Sequence, residues 1–190
     1  MKNICIFTLV VLLLGSCNIF APRKADPPDK LAEWNAFPNT PEKCLENLVF
    51  AYNYRENVFQ YGSILTDNFV FYFDPQDVQD FTVPDNWFKY NEIDMLMNVY
   101  FQSNRTSDMK LELIKLPNQP DILHSNYAWL YREYHLYVNH LITNLNQDFY
   151  GNFQLYLERE SNGVWKIREW NDYRGQSEWT FGRMKNAFGS

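Results

Sequence analysis

GVWKIREWNDYR, residues 163–174, sets the geometry of the whole chain. Trp165 and Ile167 alternate as inward positions of a strand do, but the next Trp arrives three residues later, at 170, with Asp172 two further on. Strand side chains repeat every two residues, so a step of three calls for one extra residue. The preceding hairpin fixes where it falls. A two-residue turn at Asn162-Gly163 sets Leu157 opposite Arg168 and Glu158 opposite Ile167, which mixes both faces. A three-residue turn, Ser161-Asn162-Gly163 with Gly163 at positive φ, sets Leu157 against Ile167 and Glu158 against Lys166. A one-residue slip sends every side chain to the wrong face, so matched faces select the second turn. Continued backwards, that register puts Leu155 against Glu169. A β-bulge near Arg168–Glu169 restores Leu155 to Trp170 and Phe153 to Asp172. The expected inner face is Trp165, Ile167, Trp170 and Asp172 beside Leu157, Leu155 and Phe153. A carboxylate then ends an aromatic surface.

Working outward, alternation predicts strands over 67–73, 109–116, 127–138, 151–160 and 164–173. Thr40 as N-cap, Pro41 in the first turn and Leu45, Leu48, Val49 and Tyr52 at helical spacing predict a helix from 41 to about 56. A shorter helix follows over 58–65, and another over 90–102 with Ile93, Leu96, Met97 and Tyr100 on one face. Residues 74–86, with Pro75 and Pro84, read as a loop. Helices followed by consecutive strands joined by short turns predict an α+β fold with an antiparallel sheet.

The order of elements, the strand ending in Phe-Asp-Pro at 73–75 and the final W-K-I-R-E-W-N-D strand resemble the nuclear transport factor 2-like, or SnoaL-like, family. The starts and tails NTPEKCLENL and WTFGRMKNAF resemble those of bacterial lipoproteins in that superfamily. The resemblance covers about residues 40–188 and implies a curved antiparallel sheet wrapped around N-terminal helices into a cone. Members include isomerases, dehydratases, cyclases, epoxide hydrolases and binding domains, and the catalytic residues of the enzymes match no motif in this chain, so none is carried over.

The first residues belong to another job. MKNICIFTLVVLLLGSC has a basic start, an apolar run from Ile4 to Leu14 and small residues before Cys17. That run is about half of the roughly 20 residues a spanning helix needs, and the pattern is that of an export signal. Leu14-Gly15-Ser16-Cys17 resembles the bacterial lipobox, with Gly and Ser in exchanged places. The expectation is a signal over 1–16, then a lipidated Cys17 and a Pro-containing tether over 17–39, and a domain over 40–190. The lipid would hold the protein at the cell envelope, and Asn18 rather than Asp after the Cys favours an outer membrane where one exists. Of three cysteines, only Cys44 would remain as a free thiol, read as a small buried residue.

The whole chain carries 17 Lys and Arg against 23 Asp and Glu, and loses Lys2 with the signal. This acidic balance excludes the basic stripe of a nucleic-acid binder and a polybasic grip on anionic lipid. His124, His135 and His140 lack zinc-ligand spacing, and Asp74, Asp77 and Asp80 lack the glycine and bidentate Glu of a calcium loop. No metal or cofactor is expected, and the acidic segment reads as solvated.

Asp172 is the candidate catalytic group. A carboxyl buried against Trp170 would hold a raised pKa, as a general acid or base needs; the competing reading is an anchor for a backbone N–H or an Arg. Along 127–138 the even positions, Ala128 to Val138, are the more apolar and are placed inward, which would bring Arg132 and Tyr134 to the cavity with Trp170 and Phe153. Arg132 would bind an anion or neutralise Asp172. With the faces reversed, Glu133 and His135 would form an acid–base pair. Three functions follow: a non-catalytic cone that binds a small apolar ligand or a partner; a small dehydratase or isomerase using Asp172; and a homodimer module working through the outer sheet face.

Overall fold

The computed structural model describes residues 33–101, 108–140 and 145–189. The expected signal and Cys17 lie outside the described residues. Helix α1, Pro41–Asn53, starts where the sequence places it: the Thr40 side chain accepts from the Lys43 N–H at 3.3 Å and Pro41 occupies the first turn. Its face Cys44, Leu45, Leu48, Ala51 and Tyr52 is buried. The second expected helix contracts to one turn, α2, Val58–Tyr61, between two 3-10 turns. Strand β1, Leu65–Tyr72, then carries Phe69 and Phe71 inward.

Residues 74–86 are not all loop: past Asp74, only 82–85 lack regular structure. Asp74 caps helix α3, Pro75–Phe81, by accepting from the Gln76 N–H at 2.8 Å, and Pro75 is its first residue. Asp74-Pro75 therefore does what Thr40-Pro41 does, and Thr82, at φ 56°, ends the helix in the left-handed region. A short strand β2, Asn86–Phe88, leads into helix α4, Lys89–Phe101.

The remaining strands are β3 (Asp108–Lys115), β4 (Ile122–Leu123), β5 (Tyr127–His140), β6 (Leu145–Arg159) and β7 (Trp165–Tyr173). Helix α5, Phe181–Phe188, follows them and was not expected from the sequence. The strands form one curved, unclosed sheet in the order β2-β1-β7-β6-β5-β3, with β4 also on β5. All pairings are antiparallel except β1 with β7, which run parallel. The fold is α+β, as the order of elements predicts, and its curved sheet is the cone that the resemblance implies.

The last hairpin has the expected register. Gly163 sits at φ 88°, Leu157 pairs with Ile167, and Glu158 pairs with Lys166. The register shifts between Leu157 and Tyr156, leaving Arg168 as the extra residue, and Leu155 then meets Trp170 and Phe153 meets Asp172. Residues 33–39, expected in the tether, are docked on the domain. Asn47, fully buried on α1, holds the backbone of Asn35 at both N–H (2.7 Å) and C=O (2.9 Å), and Pro38 accepts from the Trp165 N–H at 2.9 Å.

Candidate functional site

The even positions of β5 point inward as expected: Ala128, Leu130, Arg132, Tyr134, Leu136 and Val138 are all buried. They face the inner side chains of β6 and β7 under the helices. Tyr134, Phe153, Trp170 and Asp172 come together there. Tyr134 lies 6.0 Å from Phe153 between ring centroids, and Phe153 lies 5.0 Å from Trp170. Gly151, opposite Tyr134 on β6, makes the room: a Cβ on it would stand 2.5 Å from the tyrosine hydroxyl oxygen. A glycine inside a strand commonly marks such a close approach.

Arg132 is placed differently. It lies in the cross-strand row Arg132–Phe153–Asp172, but its guanidinium turns to the loop after β3. There it forms a two-pronged pair with Asp121, at 2.6 and 2.9 Å, and bonds its neighbour Tyr131's carbonyl at 2.6 Å. Burial raises the Asp121 carboxyl, but Arg132, the Tyr131 N–H and Lys115 together carry it below the usual range. Arg132 is thus a structural anchor and neither binds in the cone nor neutralises Asp172. A two-pronged carboxylate fully satisfies a guanidinium's geometry, which is why the partner at hand wins.

The largest departure is what fills the cone. Helix α5 lies across the inner face, with Phe181 and Met184 fully buried. Phe181 packs against Tyr134 at 4.2 Å, Trp170 at 5.0 Å and Tyr52 at 5.8 Å. Its N-terminus is fixed twice. Thr180 accepts from the Arg183 N–H at 3.1 Å and donates to Asp77 at 2.5 Å, and the Phe181 N–H donates to the Tyr134 hydroxyl at 2.9 Å. At its other end Asn98 of α4 holds the Phe188 carbonyl at 3.0 Å. Thr180 before Phe181, Met184 and Phe188 at helical spacing was the sequence signal for this helix.

On α5's buried face sits Lys185, fully enclosed. Its ammonium donates to both oxygens of Glu92 on α4, at 2.5 and 2.6 Å. Glu92 also accepts from the hydroxyls of Tyr61 (2.9 Å) and Tyr52 (3.3 Å). Burial, and then the charge of Glu92, lift both tyrosine pKa values well above the ordinary range. The same ammonium stands over aromatic faces: Phe71 at 4.1 Å, Trp170 at 5.1 Å, Phe181 at 5.4 Å and Trp87 at 5.9 Å. Burial lowers the Lys185 pKa, with Glu92 and Asp172 pulling it back.

Asp172 is buried and neither carboxylate oxygen meets a donor in hydrogen-bond geometry. Burial, and then the nearby Asp77, push its carboxyl well above the usual range; Lys185, the Tyr134 hydroxyl and the Gly182 N–H lie near enough to oppose this only in part. It is a carboxyl in an apolar site whose polar neighbours are too few to offset burial, a state that favours the protonated form.

Asp74, Asp77 and Asp80 are not a solvated acidic segment but a latch on the chain leading to α5. Asp74 accepts from the Arg174 N–H at 3.0 Å, Asp80 pairs with the Arg174 guanidinium, and Asp77 is fully buried against Thr180. Gly182 is needed where α5 crosses Asp77, since a Cβ there would collide with a carboxylate oxygen of Asp77. No cluster of His, Cys, Asp and Glu able to hold a metal occurs among the described residues. Cys44 is fully buried, and burial pushes its thiol up to about 12, so it is not a nucleophile.

The odd positions of β5 lie on the outer face. Trp129 packs at a tilt against Tyr156 at 4.6 Å, and His135 lies flat on Tyr150 at 4.6 Å while its Nε2 bonds Asp148 at 2.6 Å. Glu133 and His135 thus face away from the cone, and the reversed acid–base pair does not form in it. A cleft of about 330 Å3 opens on this side beside Glu133, Tyr150, Asn152 and Arg174.

No family model and no curated protein matches the sequence. Solved structures share its fold. A conserved protein from Planctomyces limnophilus superposes with a TM-score of 0.56 at 12% identity, over 68% of this chain and 89% of that one. A putative aromatic ring hydroxylase from Novosphingobium aromaticivorans gives 0.52 at 10%, over 72% and 87%. A hexachlorocyclohexane dehydrochlorinase gives 0.50 at 12%, over 70% and 82%. Proteins of this fold thus include enzymes and proteins of unknown function, and identities this low speak for the fold alone.

Proposed function

We propose that this chain is a non-catalytic binding domain held at the bacterial cell envelope by lipid on Cys17. One observation carries the non-catalytic reading: α5 occupies the cone, and its side chains Phe181, Met184 and Lys185 leave the inner face fully buried. A small apolar substrate has no entrance to Asp172 while α5 is seated. The outer face is the working surface in this reading, and its occupant is a second copy of the chain. Trp129, Tyr131, Tyr150, Tyr156 and Tyr173 give it aromatic area. Lys110, Lys166 and Arg168 stand among Glu112, Glu133, Asp148 and Glu158, so two copies can match opposite charges across a two-fold axis.

Two measurements test this. Cys17→Ser should move the protein from the membrane to the soluble fraction, and retention in the membrane overturns the anchor. Sedimentation of the detergent-extracted protein should give a dimer that Tyr131→Asp splits; a monomer at all concentrations overturns the interface. A second reading, a dehydratase- or isomerase-type enzyme, draws on the buried carboxyl of Asp172, with its raised pKa, beside Tyr134. It requires α5 to leave the cone, and it gains if Asp172→Asn abolishes the cellular phenotype while the fold is retained.

A further inference from the structure

Ordinary core packing does not explain the chemistry under α5. An apolar helix face would seal an apolar cone, yet this seal delivers an ammonium to the deepest aromatic surface of the domain. The receiving wall is built for that ion without any help from α5. Glu92 comes from α4, Tyr52 from α1 and Tyr61 from α2, and both hydroxyls converge on one oxygen of Glu92. Phe71 from β1 and Trp170 from β7 turn ring faces toward the same point. Asp172, fully enclosed beside the Tyr134 hydroxyl, supplies a second carboxyl on that wall. A carboxylate with aromatic faces around it is the environment that recognises an alkylammonium, because the ion pair and the ring quadrupoles act together once water is excluded.

We propose that the cone is a binding site for an unbranched primary alkylammonium, and that Lys185 occupies it in cis as a stand-in ligand. An incoming amine takes the place of the Lys185 side chain and lifts α5 from the sheet. The polar holds on α5 are few and sit mostly at its ends, from Thr180 to Asp77, from the Phe181 N–H to Tyr134 and from Asn98 to Phe188, around one ion pair. The buried faces of Phe181 and Met184 hold it as well, and the incoming amine must lift them with it. An internal ligand lowers the apparent affinity for an external one by the fraction of time the site stands open. Removing the internal ligand must then strengthen external binding. The inference does not depend on the role of the outer face, and a monomeric protein would leave it untouched.

The probe is n-propylammonium, which matches the part of the lysine side chain beyond Cβ, with 1-propanol as its neutral control. In the intact protein, saturating n-propylammonium should raise amide exchange in 181–188 while the exchange of β5 to β7 stays fixed. Lys185→Ala should bind it at least about tenfold more tightly than the unmodified chain does, and adding Glu92→Gln should abolish that binding. Thr180→Ala leaves the receiving wall intact and loosens α5, so it too should bind more tightly than the unmodified chain. If Lys185→Ala fails to fold alone, n-propylammonium and not 1-propanol should restore it. Equal effects of the two probes overturn the ammonium site. Binding by Lys185→Ala with no response from the intact protein or Thr180→Ala overturns displacement, and leaves Lys185 and Glu92 as a fixed structural pair.

Discussion

The two faces of the sheet carry similar residue types to opposite ends. On the inner face, Lys185 and Glu92 meet with no exposure of either side chain. On the outer face, His135 and Asp148 meet with side chains 35% and 46% exposed. Both contacts are short, and their energetics differ because of water. A buried pair has given up hydration on both ions, so losing one partner strands the other. An exposed pair exchanges its partner for water at little cost. Tyrosines show the same contrast. Tyr52, Tyr61 and Tyr134 are spent holding charged or backbone groups inside, while Tyr150 offers its ring to solvent.

The largest effect tests the inner face. Lys185→Met removes the ammonium and leaves Glu92 buried with only two tyrosine donors. Unfolding in urea should show a loss of about 3–5 kcal/mol. Changing the acceptor as well, in Lys185→Met with Glu92→Gln, should recover most of it, because a neutral amide still accepts from Tyr52 and Tyr61. If the single variant costs no more than a surface change, the contrast between the faces fails.

Asp172 gives the next effect, and its sign is opposite. Its folded pKa lies above its unfolded value, so the folded chain holds an extra proton above about pH 4. Stability contributed by that proton is present at low pH and falls as pH rises through the folded pKa. Asp172→Asn cannot ionise. Its stability relative to the unmodified chain should therefore grow with pH above about 4. Urea midpoints at several pH values read this directly, and a gain that shrinks with pH would show that Asp172 is held as a paired anion.

How much of this was legible follows from which interactions are local. The register of β6 on β7 and the bulge at Arg168 come from alternation within a few residues of a turn, and the sequence displays them; the inward face of β5 rests only on its more apolar even positions, which left the reversed assignment open. Helix α3 was equally local, but two prolines drew the segment 74–86 toward a loop, although Asp74-Pro75 is a helix start. The site was less legible. Glu92 and Lys185 are 93 residues apart in the chain, and each looks like a solvated charge on its own helix. Arg132 obeyed its strand parity and still left the cone, because Asp121 lay within reach of a long side chain. Parity places a Cβ and does not place a guanidinium.

Gly163→Ala separates the turn at 161–163 from the matched faces as the source of the register. At φ 88° an alanine is strained, and the expected loss is about 1 kcal/mol. The turn is closed by backbone bonds between Glu160 and Val164 (2.8 Å) and from the Gly163 N–H to Glu160 (2.9 Å). The substitution should therefore strain this turn without changing the pairing of Leu157 with Ile167. Protection of the β6 and β7 amides should be retained. A larger loss, with that protection gone, would mean that the turn and not the matched faces fixes the register.

The smallest effect belongs to the outer face and completes the contrast. Asp148→Asn keeps the shape of the side chain and the acceptor facing His135, and removes only the charge. Water reaches both groups, and the ring of His135 keeps its stack on Tyr150. The monomer should lose about 0.5 kcal/mol or less. Because the proposed interface uses this face, the same variant has a second readout. If a second copy covers the sheet, Asp148 becomes buried on assembly, and the loss should grow with protein concentration in the range where the dimer forms. A loss that is small and independent of concentration keeps the inner and outer faces distinct, and places Asp148 outside the dimer contact.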